Sequence, residues 1–234
     1  MNTAGDELPA PSRAAAPLSC TLEELVERAR SLATGGTRSI LGITGAPGSG
    51  KSTVAQALDE ALGAQATRVG MDAFHLANQV LADRGSRDRK GAPDTFDPWG
   101  YANLLHRLKS NREPVVYAPT FDRGLEESIG GSVPVAREVP LVITEGNYLL
   151  LDADGWRDGR DQIDEVWYLD VADSERQLRL VRRHETFGKP YEEARAWALG
   201  SDQSNAEIVD TTRTRADLVI NLVHSQTPKS LAQA

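Results

Sequence analysis

Residues 45–52 read GAPGSGKS and satisfy the pattern G-x-x-x-x-G-K-[ST], with an apolar stretch before them and a helical pattern after them. A loop of this kind holds the phosphates of a nucleoside triphosphate. Gly48 and Gly50 permit the backbone angles at which successive N–H groups converge on phosphate oxygens, and the following helix adds its positive N-terminal end. Gly45, Ala46, Pro47, Gly48, Ser49, Gly50, Lys51, Ser52 and Thr53 are the expected nucleotide-binding residues. Lys51 is expected to reach the β- and γ-phosphates, and Ser52 to place its hydroxyl on a bridging Mg2+ ion. ATP and Mg2+ are thus the expected cofactors.

A second metal contact is expected at the end of a neighbouring parallel strand, where Glu145 follows LVIT and Asp170 follows VWYL. Asp170 precedes a helical stretch, a position at which Asp commonly serves as a cap, so Glu145 is preferred. Arg176, Arg179, Arg182 and Arg183 recur three or four residues apart, with Lys189 beyond them. Beside a phosphate loop such a stripe reads as a lid whose arginines neutralise charge on a transferred group. His75, His106, His184 and His224 lack metal-ligand spacing and read as ordinary. None of the five lysines follows an Asn, so the Asn-Lys-x-Asp guanine reader of GTPases is absent.

The elements that must carry these residues follow from periodicity. Residues 1–20 are rich in Ala, Pro and Ser and read as a flexible tail. Thr21 and Glu24 have capping-box spacing before a helix that runs to about Ala33, and a short β-branched strand at 39–43 points into the glycine loop. A helix over 51–62 and a strand over 67–71 follow. Residues 76–97 are too polar for a core element, and Asp97 with Pro98 starts a helix that ends near Ser110. Strands are predicted at 115–118, 140–144, 165–169 and 217–221, with a helix from Asp173 to about Glu185. The alternation predicts an α/β fold, a doubly wound parallel sheet of P-loop NTPase type with a small helical lid. The predicted division is a tail at 1–20, a domain over 21–224 with its lid at about 176–200, and a tail at 225–234.

Composition narrows the partners. The chain of 234 residues carries 34 acidic and 26 basic side chains, a formal charge of -8, which disfavours nucleic acid held by a broad basic surface and favours a small polar ligand. Cys20 is the single cysteine, no apolar run approaches the roughly 18 residues of a membrane span, and the start lacks the order of a secretory signal. The expectation is a cytoplasmic protein without a membrane partner. Oligomeric state is not set by the sequence.

Beyond the loop, Met71-Asp72-Ala73-Phe74-His75, Pro93-Asp94-Thr95-Phe96-Asp97, Pro119-Thr120-Phe121-Asp122, Glu145-Gly146 and the run from Arg179 to Arg183 occur in an order that resembles the phosphoribulokinase and uridine kinase family of P-loop kinases. That family includes bacterial-type pantothenate kinase and short bacterial fructose-transport kinases. The resemblance spans roughly residues 40–220. It implies phosphoryl transfer to an alcohol of a small metabolite, with Asp72 as catalytic base and metal contact; a carboxylate there can also orient the nucleophile and take its proton. It implies Asp97, Phe121 and Asp122 as acceptor-binding residues, with Phe121 standing where the family often has Tyr. Asp97 is equally a good helix cap. Arg179 and Arg183 are the arginines the resemblance matches best, Arg183 as a catalytic lid residue. The stretch 90–93 is similar to pantothenate kinases and 93–97 to nucleoside kinases. A nucleoside or sugar acceptor is therefore expected first, pantothenate second, and a nucleotide-gated assembly factor is the reading from another class.

Overall fold

The strand that feeds the glycine loop, β2 (Ser39–Thr44), is buried along nearly its whole length, as a strand covered on both faces must be. The computed structural model describes residues 16–223. Beside β2 lie β6 (Leu141–Glu145) and β7 (Glu165–Leu169), and the sheet continues outward through β3 (Ala66–Gly70) on one side and β8 (Leu218–Leu222) on the other. All pairings are parallel. Strand neighbours that are distant in sequence require crossovers, and these are supplied by helices on both faces.

One face is sealed by α1 (Leu22–Ala33) and α2 (Lys51–Leu62), whose Leu25, Ala29, Val54 and Leu58 pack on Leu41 and Ile43. The other is sealed by α4 (Pro98–Ser110), whose Leu104, Leu105 and Leu108 pack on Ile40 and Val142. The alternation Ile40, Leu41, Ile43 thus divides between two cores. The start of α1 is fixed by its capping box, with the Thr21 amide donating to Glu24 at 2.8 Å and the Glu24 amide donating to Thr21 Oγ1 at 3.3 Å.

Several expectations are corrected. Leu18–Cys20 forms β1, paired parallel with β8, so the fold begins before Thr21 and the tail does not extend to residue 20. Three residues carry no period, and only the open edge of β8 selects them as a strand. Residues 1–15 and 224–234, which hold the rest of both predicted tails and His224, lie outside the described residues. The strand expected at 115–118 is β4 (Val115–Asp122), which leaves the main sheet and pairs antiparallel with β5 (Glu127–Ala136), an element the sequence reading lacks. β5 carries Gly130, Gly131 and Pro134 and is exposed along half of its length, so it has little apolar alternation to read. The polar stretch after residue 76 holds a short helix, α3 (Asn78–Asp83), with Leu81 buried. Beyond β6 come α5 (Trp156–Arg160), the expected α6 (Asp173–Thr186), and then α7 (Tyr191–Leu199) and α8 (Ser201–Asp210), which the sequence reading does not separate.

Candidate active site

The sheet order puts the glycine loop, at the carboxyl end of β2, between the ends of β6 and β7, the crevice where open α/β sheets bind ligands. Gly45 and Gly48 are forced by close approach as much as by their φ of 145° and 83°: a Cβ on them would meet Leu169 O at 2.7 Å and Arg176 O at 2.6 Å. Lys51 opens α2, and its buried ammonium donates to Ala46 O at 3.3 Å, back across the loop. Burial pushes the Lys51 amine down to about 8, against the opposing pull of Glu145 and Asp72. Ser52 Oγ donates to Glu145 Oε1 at 3.1 Å.

Register explains how Glu145 and Asp72 converge. Glu145 ends β6 level with Ile43 of β2 and Gly70 of β3, so the loop begins two residues past one neighbour and Asp72 lies two residues past the other. Glu145 is buried, and its carboxyl is raised above the usual carboxylate range by burial and then by the like charge of Asp72. Both carboxylates line a cavity of about 680 Å³ with Pro47, Lys51, Ser52 and Arg183.

Of the two acids weighed for the metal, the structure brings Glu145 to Ser52 and turns Asp170 away. Asp170 pairs with Arg213 Nη2 at 2.8 Å and lines a second, smaller cavity. The arginine stripe also divides. Arg176 is buried, donating to Asp173 Oδ1 at 2.8 Å and to Gln203, and it serves packing. Arg179 donates to Ser49 O at 3.4 Å beside the loop and pairs with Glu175. The Arg183 side chain lines the cavity, and its guanidinium makes no hydrogen bond or ion pair with another described residue.

Two of the three expected acceptor-binding residues are not brought into the cavity. Asp97 is exposed; its Oδ1 accepts from the Gly100 amide at 2.9 Å, so it caps α4. Asp122 Oδ1 accepts from the amides of Gly124 and Leu125 at 2.8 and 2.9 Å and closes the β4–β5 turn. Phe121 does line the cavity.

Other residues join the site that the sequence reading set aside. His75 stacks on Phe96 and Phe121 at centroid distances of 3.9 and 4.9 Å, and its Nδ1 lies 2.7 Å from Asp72 O. A carbonyl can only accept, so Nδ1 carries the proton; burial lowers the ring's affinity for a second one and leaves Nε2 as an acceptor. Arg123, on the β4–β5 turn, reaches Asp72 Oδ2 at 3.4 Å. Lys90 donates to Asn78 Oδ1 at 2.8 Å and lies 5.2 Å from the Phe121 ring centre. The motif containing His75 and the stretch 90–93 that begins with Lys90 were visible in the sequence, whereas nothing local marks Arg123.

Comparison with known proteins bears on the family. The family model described as AAA domain matches residues 41–200. A Schizosaccharomyces pombe protein provisionally named uridine kinase C227.14 is 31% identical over 92% of this chain and 96% of its own. A pantothenate kinase of Enterococcus faecalis is 26% identical over 78% of this chain and 68% of its own. The crystal structure of a protein from Silicibacter sp. TM1040, provisionally named a fructose transport system kinase, superposes with a TM-score of 0.77 and 40% identity, covering 86% of this chain and 98% of that one. Among the described residues no helix is long and apolar enough to cross a membrane. The chain belongs to the phosphoribulokinase and uridine kinase family of P-loop kinases, ATP-dependent enzymes that phosphorylate hydroxyl groups of small molecules.

Proposed function

We propose that this kinase moves the γ-phosphoryl group of ATP to a hydroxyl of a sugar-like or nucleoside-like metabolite, with Asp72 as base and the loop 45–53 as the nucleotide cradle. The observation that carries the reading is the joining of Ser52, Glu145, Lys51 and Asp72 at one cavity end. In the reaction the acceptor hydroxyl gives its proton to Asp72 as its oxygen bonds to the γ-phosphorus, and the bond to the leaving ADP oxygen breaks. Lys51 and Arg183 are the cations placed for the charge on the transferred group. Arg179, beside Ser49, is assigned to the nucleotide.

The site also fits Mg2+. Ser52 Oγ and the carboxylates of Glu145 and Asp72 are hard oxygen donors, and among the described residues no cluster of three His, Cys, Asp or Glu side chains forms a closed cage. One or two carboxylates completed by substrate phosphates is the pattern Mg2+ prefers. When bound, the ion supplies charge neutralisation on the β- and γ-phosphates.

The walls support a hydroxylated acceptor: Phe96 and Phe121 offer apolar faces, while His75, Asn78, Asn147 and Asn205 offer hydrogen bonds. The grip on adjacent hydroxyls expected of Asp97 is not retained, because that carboxylate caps α4. A pantothenate-like acceptor stays as the second reading, favoured by the relative of that name. We place the enzyme in the cytoplasm, without a nucleic-acid partner, on its acidic balance and its single cysteine, Cys20.

The test is ADP release across nucleosides, sugars, polyols and pantothenate, in wild type and in Asp72→Asn. One class of alcohol should give turnover that falls by roughly 10² or more in the variant, with folding kept. A protein that binds ATP but answers to no alcohol, or an Asp72→Asn enzyme of full activity, overturns the reading.

A further inference from the structure

The second cavity, of about 250 Å³, shares no lining residue with the first, yet Ala46 and Ser49 of the phosphate loop stand on its wall. The end of β7, the first turn of α6 and one face of α8 frame it. Gln203, Ala206, Glu207 and Asp210 recur at the three- and four-residue steps that bring one side of a helix together, so α8 turns a single polar stripe to the space.

Two buried donors on this wall lack partners. Ser49 is 4% exposed, and its Oγ makes no hydrogen bond with a described residue. Arg176 is 1% exposed; its Nε donates to Asp173 and its Nη2 to Gln203, and Nη1 is left without an acceptor. A guanidinium can only donate, and a hydroxyl can do so as well, so both atoms call for an oxygen with free lone pairs.

The charges point the other way. The carboxylates on the wall are Asp170, Asp173, Glu207 and Asp210, and the one base on it is Arg176. Arg176 matches Asp173 at 2.8 Å, and Arg213, from outside the lining, matches Asp170 at 2.8 Å. Glu207 and Asp210 meet only neutral donors, Gln203 Nε2 at 3.4 Å and Tyr168 Oη at 3.5 Å. The cavity thus carries an excess of two negative charges at its exposed residues Glu207 and Asp210, above buried donors that need oxygen.

We propose that the second cavity binds a small amine that also carries hydroxyl oxygens, of the amino sugar or amino alcohol class. Its ammonium meets Glu207 and Asp210, and its oxygens accept from Arg176 Nη1 and Ser49 Oγ. A bare cation leaves the two donors unpaired, an anion meets the negative excess, and a neutral polyol gains nothing from the carboxylates. The site bears on the nucleotide loop directly: Ser49 O accepts from Arg179 Nη1 at 3.4 Å, and Arg176 O lies so near Gly48 that a Cβ there would meet it at 2.6 Å. An occupied cavity steadies the loop and Arg179 together, so amine and ATP raise each other's affinity. That coupling rests on the kinase reading; the amine site itself does not.

The experiment uses the full chain and two matched sets: glucosamine, glucose and cyclohexylamine, and serinol, glycerol and isopropylamine. Calorimetry reads each compound alone and then the dissociation constant of a non-hydrolysable ATP analogue with Mg2+ in its presence, with ammonium chloride at equal ionic strength as the salt control. In at least one set the hydroxylated amine should bind alone and tighten the analogue by about fivefold or more, while its neutral and oxygen-free partners do neither. The double variant Glu207→Gln/Asp210→Asn should lose both responses and keep the analogue affinity and the melting temperature of the wild type. Partners that match the hydroxylated amine, a response that survives the double variant, a response reproduced by ammonium chloride, or a wild type that binds neither hydroxylated amine would each overturn the proposal. So would amine binding that leaves the analogue unchanged, as far as the coupling goes. Failure of the kinase reading looks different: the analogue would not bind at all, with amine or without.

Discussion

Ser52 Oγ donates to Glu145 Oε1 at 3.1 Å, and this bond joins the first turn of α2 to the end of β6 across residues 93 apart in sequence. It fixes the corner at which the phosphate loop, the assigned metal acid and the assigned base meet.

Glu145→Gln should therefore separate function from stability. The amide keeps the size and the bond to Ser52 but loses the charge, so turnover should fall by about 10² or more. Melting temperature should hold or rise, because a buried carboxylate next to Asp72 no longer has to ionise. Thermal melts beside initial rates check this; a variant that melts early and keeps its activity per folded molecule would contradict it.

ATP affinity should weaken as pH rises past about 8, the point to which burial brings the Lys51 amine in the free enzyme. Bound phosphates favour the charged amine, so binding takes up a proton above that pH, and affinity should drop by up to about tenfold per unit. The sign for stability is opposite: the unfolded amine, near 10.4, holds its proton longer, so this group's contribution to stability grows with pH between the two values. Calorimetry from pH 7 to 10 in wild type and Lys51→Met reads both; a flat wild-type profile would remove Lys51 as the phosphate cation.

Arg183→Ala should act on the chemical step. Its guanidinium lines the cavity without a hydrogen bond or ion pair to another described residue, so loss of a contact made only in the reacting complex lowers kcat by about 10² while ATP binding changes little. Loss of ATP affinity at constant kcat would make it a ground-state ligand.

Asp97→Ala should cost stability and spare catalysis. The lost cap of α4 is worth about 1 kcal/mol, or about 2–4 °C in Tm for a chain of this size. A KM increase for the acceptor without a change in Tm would return Asp97 to the substrate.

What the sequence determined by itself is what neighbouring residues determine. The loop 45–52 needs a strand before it and a helix after it, both of which are local periodic patterns, and the caps of α1 and α4 are set within three residues. The order of the remaining site residues depends on pairings between distant segments. Glu145 ends β6 and Asp170 follows β7, both beside β2, and in sequence only the helical stretch after Asp170 separates them. Arg213, just before β8, claims Asp170, while Ser52 faces Glu145; only the folded sheet shows which acid remains for the loop. Likewise Asp97 reads in sequence as both a cap and a ligand, and the direction of α4 shows the cap, with Asp97 outside the cavity lining. Arg123 enters the cavity from the tip of the β4–β5 hairpin, and Lys90 and Asn78 are tied to that tip through Glu126 O. Those contacts are polar and long-range, so no hydrophobic period records them, and tertiary structure alone decides them.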